Sequence, residues 1–116
     1  KADPDVQIEA GARYLSWLEK RFEKTDIAPD ERIKFILASY NAGLGHVIDA
    51  RNLARKYGKN PDVWEGNVDY FILNKSKPQY YRDSVVQFGY CRGHETYNYV
   101  NQVMARYKHY RNILPY

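Results

Sequence analysis

Apolar side chains recur at intervals of three and four residues along most of the chain, which is the spacing of an amphipathic α-helix. The first such stretch covers about residues 5–24, and Glu19, Lys20 and Glu23 fall on its polar side. Its predicted core positions are Ile8, Ala12, Leu15, Leu18 and Phe22. This pattern predicts a first helix that packs through one face.

Two more helices are predicted by the same period. Pro29 suits the first position of a helix, and Asn41 and Gly43 suit its end, so the second helix is placed between them. A third helix follows, and Gly58 is its natural terminator. The predicted core positions are Ile33, Ile36, Leu37 and Tyr40 in the second helix, and Val47, Ala50, Leu53, Ala54 and Tyr57 in the third.

The next segment is less regular. Asn60 and Pro61 predict the cap and first turn of a short fourth helix. Its apolar positions are Trp64, Val68, Phe71 and Ile72. An irregular surface loop is predicted from Asn74 to about Tyr81, and residues 83–89 fit either one helical turn or a buried extended segment.

The last helix is predicted from about residue 94 to about residue 110. Its predicted buried positions are Thr96, Val100, Val103 and Tyr107. No alternation of the strand type and no internal repeat occurs in the sequence, so the predicted fold class is all-α.

Composition bounds the size and class of the protein. With 116 residues, of which 44% are hydrophobic and 28% charged, the chain fits one folded domain over residues 1–116. Twelve tyrosines are more than usual for this length. Because tyrosine joins an apolar ring to a polar tip, an excess often marks surfaces that stack on ligands and hydrogen-bond to them. Bridging between core and solvent is expected to account for most of them.

Charge and cysteine content argue against several partners. The formal net charge is +4, but the basic residues are spread among fourteen acids without a concentrated run, so no nucleic-acid partner is predicted. The single cysteine, Cys91, forms no internal disulfide, suits a buried small position, and leaves no zinc site. No segment is apolar enough to span a membrane. No signal peptide is present at Lys1 to Pro4, so we expect any export signal or lipid anchor upstream.

Candidate chemistry lies in two segments, residues 38–46 and residues 89–100. Asn41 lies at a helix end, and its spacing alone favours a simple helix cap. The alternative is a ligand for a sugar N-acetyl or hydroxyl group, since a carboxamide both donates and accepts. Tyr40 before it fits the core as well. His46 has no identified nucleophile or orienting partner in the sequence, so we interpret it as structural.

In the second segment Glu95 and Tyr99 are four residues apart and lie one turn above each other on the last helix, where they can face a groove together. Glu95 also stabilises the helix N-terminus whatever else it does. Tyr90 and Arg92 come just before, between glycines that let the backbone bend or approach a ligand. Arg92 suits a lactyl or peptide carboxylate, or is a solvated surface arginine.

Four segments in this order resemble the lytic transglycosylases of the goose-lysozyme-like class. They are Glu9 to Leu15, Ala38 to His46, Trp64-Glu65 with Lys77 to Tyr81, and Gly89 to Val100. The resemblance covers about residues 3–107 and implies a lysozyme-like helical domain. Ser39 and Cys91 stand where the family commonly has alanine, and both keep the side chain small.

The resemblance implies cleavage of peptidoglycan glycan strands between N-acetylmuramic acid and N-acetylglucosamine, without water, leaving 1,6-anhydro-muramyl ends. One glutamate serves as acid and then as base, and the family needs no metal or organic cofactor. By motif match, Tyr40 and Asn41 are implied cleft residues, Glu95 a supporting carboxylate, and Tyr99 the tyrosine beside the catalytic acid. The implied location is the periplasm of a Gram-negative bacterium, at the outer membrane through an upstream segment.

The family's catalytic glutamate lies in a Glu-Ser segment that precedes a Gly-Leu-Met-Gln segment, and this sequence starts after both. Glu9 and Glu19 follow those motifs, so no catalytic residue is assigned here. We therefore expect the C-terminal part of a catalytic domain, an incomplete fold that is inactive alone. The alternative is a non-catalytic helical module that binds peptidoglycan or a protein. An incomplete fold leaves an apolar face exposed, so we also expect self-association.

Overall fold

The computed structural model describes the backbone of residues 3–113 and the side chains of residues 3–109; residues 1, 2 and 114–116 lie outside it. In the described range the chain forms α-helices and no strand, which confirms the all-α prediction. The helices are α1 Pro4–Glu23, α2 Pro29–Ala42, α3 Leu44–Lys56, α4 Asp69–Asn74, α5 Pro78–Tyr81 and α6 Gly93–Ile113.

Helix α2 is the centre of the fold. It packs against α1, α3 and α6, and α4 fills the space between α3 and α6. Phe35 of α2 lies at the middle of the aromatic part of the core, with its ring 6.0 Å from that of Phe22 and 5.4 Å from that of Trp64. The other large buried apolar side chains around it are Leu18, Ile27, Val47, Leu53, Val68, Phe71, Ile72 and Val100.

A single residue, Gly43, joins α2 to α3. Its φ of 108° is in the left-handed region that side-chain-bearing residues avoid, and its N–H donates to the Ser39 carbonyl at 2.8 Å. Because α3 begins at the next residue, the chain turns a sharp corner here. The corner places Asn41, at the end of α2, close to the first turn of α3.

The segment after α3 differs from the prediction. The fourth helix begins at Asp69 and not at Pro61, because Val63 and Glu65 are extended and Gly66 has a φ of 73°. Trp64 and Val68 are nevertheless buried, as predicted. The predicted surface loop contains the one-turn helix α5, which Pro78 starts. Residues 83–89 form a turn followed by irregular backbone, with neither a helix nor a strand.

Helix α6 starts one residue before the predicted position. Gly93 packs directly against the Ile72 carbonyl, so its lack of a side chain serves a contact between helices rather than the approach of a ligand. Thr96 and Val100 are buried as predicted, and Val103 is half-buried. Tyr107 is not buried, since half of its surface is exposed near the end of the helix.

An ion pair in the interior holds the irregular residues 82–92 onto the helices. Lys75 Nζ lies 2.8 Å from Asp49 Oδ2, and both side chains are almost completely buried. Lys75 also donates to the Gly89 carbonyl at 2.6 Å, and the Asp49 carboxylate accepts from the N–H groups of Gln87 and Phe88 at 2.8 Å each. The irregular segment therefore takes its backbone partners from α3 and from the residue that follows α4.

A long groove lies on one side of α1 and α2, and we call it the α1–α2 groove. It differs from the prediction, which placed several of its residues in the core. It is formed by two adjoining cavities of about 510 and 500 Å³ that share Leu15. Ile8 is 71% exposed, Ile33 39% and Tyr40 42%, although the helical period predicted all three as core. They are exposed because no other element of the described chain packs over this side. The buried residues of α2 are Phe35, Ile36, Ala38 and Ser39, so of the predicted positions Ile36 is confirmed as core.

We predict that Lys75→Met will lower the free energy of unfolding by about 3–5 kcal/mol, because removal of one partner leaves the Asp49 charge buried and unpaired. Urea unfolding followed by circular dichroism measures the change. Lys77→Met is the matched control, since Lys77 is exposed and its replacement should change stability by less than about 0.5 kcal/mol. Equal stability of the two variants would contradict the structural role of the pair.

We also predict that the chain self-associates through the α1–α2 groove. Replacement of Ile8 and Ile33 by serine should shift sedimentation velocity profiles toward the monomer, because it removes apolar surface from the groove. Val6→Ser is the control, since Val6 is exposed but does not line the groove. A wild-type chain that sediments as a monomer at every concentration would refute the prediction.

Candidate functional site

The two segments that carry the candidate chemistry meet in the structure. The hydroxyl of Thr96 on α6 donates to Asn41 Oδ1 at the end of α2, at 2.7 Å. Thr96 is buried, while Asn41 is exposed on its other side. Asn41 is not the cap of α2, because the helix continues to Ala42 and Gly43 takes the cap position. The capping interpretation of Asn41 is therefore wrong.

An open cleft of about 280 Å³ lies at this junction, and we call it the Asn41 cleft. Asn41 and His46 belong to its α2–α3 wall, and the residues around the start of α6 form the other wall. The complete lining is Asn41, Ala42, His46, Tyr90, Cys91, Arg92, Glu95 and Thr96. Four of the six predicted binding residues, namely Asn41, Tyr90, Arg92 and Glu95, are thus brought together.

Tyr90, Arg92 and Glu95 lie on the solvent side of the cleft. The ring of Tyr90 is 55% exposed and contacts the edge of Tyr81 at a centroid distance of 5.8 Å, so α5 supports it. Arg92 and Glu95 are one turn apart, with 3.9 Å between guanidinium and carboxylate, and their side chains are 69% and 58% exposed. At that distance and exposure the pair is weak, so both groups are available to a ligand.

The two remaining predicted residues lie elsewhere. Tyr40 lines the α1–α2 groove, with its ring 5.9 Å from that of Tyr14. Tyr99 is half-buried and packs against the hydrophobic core. Neither residue lines the Asn41 cleft. Their assignment as binding residues stays a prediction, and it requires that a ligand also contact a surface outside this cleft.

Sequence reasoning missed the partner of His46. Lys75 Nζ lies 2.7 Å from His46 Nδ1, which links the imidazole to the buried Asp49. Burial lowers the pKa of His46, the positive charge of Lys75 lowers it further, and the charge of Asp49 acts in the opposite direction. His46 is therefore a neutral imidazole at neutral pH. Asp49 flanks the apolar stripe of α3, but no signal in the sequence pairs it with Lys75.

Cys91 is the small buried residue that the sequence predicted. Its thiol is free and 6% exposed, and burial raises its pKa, which disfavours the reactive thiolate. In residues 3–109 no group of three or more His, Cys, Asp or Glu side chains is arranged to hold a metal ion. The side chains that line the cleft supply amide, imidazole, guanidinium, phenol, hydroxyl, thiol and carboxylate groups.

A larger cavity of about 590 Å³ shares no residue with the Asn41 cleft. Aromatic rings dominate its walls, including Tyr57, Tyr70, Phe71, Tyr80 and Tyr97. The hydroxyls of Tyr70 and Tyr80 lie 3.3 Å apart, and that of Tyr57 donates to Asp83 at 2.8 Å. These phenols satisfy one another or a neighbouring carboxylate, so we place the candidate site at the Asn41 cleft, where polar groups face open space.

Residues 3–113 thus form a helical fold with an open polar cleft where α2, α3 and α6 meet. The chain belongs to the transglycosylase SLT domain family: the sequence pattern that defines that family matches residues 1–63, more than half of the chain. The predicted family is confirmed.

Relatives of the chain carry the name membrane-bound lytic murein transglycosylase F. The proteins of that name from Haemophilus influenzae strain PittGG and Yersinia pestis strain Pestoides F are 43% and 44% identical to it over 103 residues. That from Yersinia pseudotuberculosis is also 44% identical. The aligned part is 89% of this chain and 20% of each relative, so the chain spans about a fifth of their length. Within the described residues, no helix has the length and apolar character needed to cross a bilayer.

We predict that Thr96→Val will loosen the cleft, because it leaves Asn41 Oδ1 without its partner while it preserves the shape of the side chain. The free energy of unfolding should fall by about 0.5–1.5 kcal/mol, the usual net value of one hydrogen bond. The side-chain amide resonances of Asn41 in ¹H–¹⁵N spectra should shift at the same time. Thr96→Ser keeps the hydroxyl and serves as the control. Unshifted Asn41 amide resonances in Thr96→Val would contradict the hydrogen bond between Thr96 and Asn41.

Proposed function

We propose that this domain binds the glycan strands of peptidoglycan in the Asn41 cleft, as part of a lytic murein transglycosylase. The observation that supports it best is the Thr96–Asn41 hydrogen bond at 2.7 Å. This bond holds Asn41 Oδ1 against α6 and fixes the orientation of the amide, and the two N–H groups on Nδ2 are donors without a partner in the described structure. An acetamido carbonyl oxygen, which both sugars of peptidoglycan carry, is a matching acceptor.

The other cleft residues suit the remaining groups of such a strand. The exposed ring of Tyr90 offers a surface for a sugar face and a hydroxyl for its polar groups. The Arg92 guanidinium matches the lactyl or peptide carboxylate of a muramyl unit. Glu95, an exposed carboxylate, accepts hydrogen bonds from sugar hydroxyls. Together they would fix the strand in one orientation across the start of α6.

The reaction proposed for the whole enzyme is cleavage between N-acetylmuramic acid and N-acetylglucosamine. An acid protonates the glycosidic oxygen, and the muramyl 6-hydroxyl then closes onto C1 as its proton passes to the same group, so that a 1,6-anhydro end forms without water. The residues of this chain bind and orient the strand in that scheme. The names of the relatives support a membrane-associated enzyme, for which we propose the periplasmic side of the outer membrane of a Gram-negative bacterium.

We further propose that the isolated chain binds glycan without cleaving it. A glutamate that serves as general acid near neutral pH needs an environment that favours its protonated form, such as burial. Among the residues that line the cleft, the carboxylate is that of Glu95, and its side chain is 58% exposed. The same observation favours a second candidate function, a helical module that binds peptidoglycan and never cleaves it.

We predict that the wild-type chain will sediment with purified peptidoglycan sacculi and that Asn41→Asp will bind about 3- to 10-fold more weakly, the effect of one lost neutral hydrogen bond. Aspartate keeps an oxygen that accepts from Thr96, replaces the N–H donors by a second oxygen and adds one negative charge, for which the Asn98→Asp control corrects. Mass spectrometry of the supernatant should find no 1,6-anhydro-muropeptides with the chain alone.

Asn98→Asp is the matched control, because it makes the same charge change at an exposed position of α6 that does not line the cleft. It should bind like the wild type. A wild-type chain that fails to sediment with sacculi would refute glycan binding, and release of anhydro-muropeptides by it would refute the proposal that the isolated chain is inactive.

A further inference from the structure

We infer that His46 is a specificity-determining hydrogen-bond donor of the Asn41 cleft, fixed by Lys75 with its proton on Nε2, and that it selects a carbonyl oxygen of the ligand. The inference rests on the proposed function, because it names the group in the cleft that recognises the acetamido carbonyl. Lys75 acts through His46 and is therefore a positioning residue.

The tautomer follows from the environment of Lys75. An ammonium group has three N–H donors and no acceptor. Lys75 Nζ is completely buried and has three neighbours, Asp49 Oδ2 at 2.8 Å, His46 Nδ1 at 2.7 Å and the Gly89 carbonyl at 2.6 Å. The contact with Asp49 is an ion pair, and the ammonium donates to the Gly89 carbonyl. Because an ammonium carries only donors, Nδ1 at 2.7 Å must present its lone pair to it. The proton of the neutral imidazole is then on Nε2.

The orientation of the ring is restricted from a second side. The ring of Phe88 meets the imidazole of His46 edge to face at a centroid distance of 6.4 Å. Phe88 can lie there because Gly45 has no side chain; a Cβ at that position would come within 2.6 Å of the phenyl ring. The Phe88 N–H in turn donates to Asp49. The group that holds Lys75 thus also holds the residue that flanks His46.

The part of the imidazole that Lys75 does not contact, which includes Nε2, is available to the cleft. His46 lines the Asn41 cleft, and within residues 3–109 its Nε2 makes no hydrogen bond. Asn41 lines the same cleft and also has its donors unused. Two neutral N–H donors at one cleft favour a neutral acceptor such as an amide carbonyl. The positive charge of Lys75 behind the ring polarises it and strengthens Nε2–H as a donor.

The same geometry excludes a role for His46 as a general base. A base needs a free lone pair that faces the substrate. The one lone pair of the neutral ring is on Nδ1, and Lys75 occupies it inside the protein. The charged and titratable groups around the ring are Lys75 and Asp49 on its buried side, and Tyr90, Cys91, Arg92 and Glu95 across the cleft. Recognition, rather than proton transfer, is therefore the chemistry that His46 can supply.

Two substitutions separate the cleft role from the structural one. In His46→Asn the amide oxygen can replace Nδ1 as the acceptor for Lys75, but nothing replaces the Nε2–H donor. In His46→Gln the longer amide can place an N–H where Nε2–H was, but the acceptor for Lys75 is lost. A donor role predicts that the asparagine variant loses affinity and that the glutamine variant regains it, whereas a purely structural role predicts that the glutamine variant is the more damaged one.

The experiment is an NMR titration of the 116-residue chain with a β-1,4-linked tetramer of N-acetylglucosamine. We expect His46→Asn to raise the Kd about 3- to 10-fold, as the loss of one neutral hydrogen bond does, and His46→Gln to restore most of that loss. His94→Asn is the matched control, since His94 is exposed and does not line the cleft. The ¹⁵N shifts of the His46 ring should show protonation at Nε2 in the free wild-type chain.

Three results would overturn the inference. Unchanged affinity in His46→Asn, with binding by the wild type, would refute the donor role and leave the proposed function intact. Protonation at Nδ1 in the ¹⁵N spectrum would refute the tautomer independently of any ligand. A wild-type chain that sediments with sacculi but does not bind the tetramer would refute the inference and leave the proposed function intact, whereas a chain that binds neither would refute both.

Discussion

The buried ion pair of Lys75 and Asp49 is the constraint on which the order of the cleft depends. An ammonium and a carboxylate that are buried away from water are tolerated only if the remaining donors and lone pairs also have hydrogen-bond partners. Here those partners are backbone groups of residues 87–89 and the imidazole of His46. The requirement for complete hydrogen bonding therefore fixes an irregular segment that has no helix or strand of its own to hold it.

The position of the cleft follows from two glycines at helix ends. Gly43 joins α2 to α3 in one residue, so Asn41 and His46 lie on the two sides of a single corner. Gly93 lets α6 begin directly against the Ile72 carbonyl, which brings Thr96 within hydrogen-bond distance of Asn41. Side chains far apart in the sequence thus meet because Gly43 adopts a left-handed φ and Gly93 leaves room for a helix contact.

Helical periodicity predicted the helices well and their buried faces only in part. A period shows which residues share a face, but the neighbour that covers the face lies elsewhere in the chain. In α3 the predicted stripe is the core, except for Tyr57 at its end, because α2 and α4 cover it. In α1 and α2 the predicted stripe ends in the exposed Ile8, Ile33 and Tyr40, where the described chain supplies no cover.

The presence or absence of a local sequence signal also explains which residues of the candidate site were predicted and which were missed. Asn41 and Glu95 stood out because they belong to segments with a recognisable order of residues. The pairing of Lys75 with Asp49 left no such signal, since a lysine among polar neighbours normally indicates a solvated surface. Its burial depends on one ion pair and two hydrogen bonds, with partners from different parts of the chain. Lys75, which its local sequence predicts to be solvent-exposed, is thus the group that fixes the proton of His46 on Nε2. In this way it determines which hydrogen bond His46 can offer to the cleft.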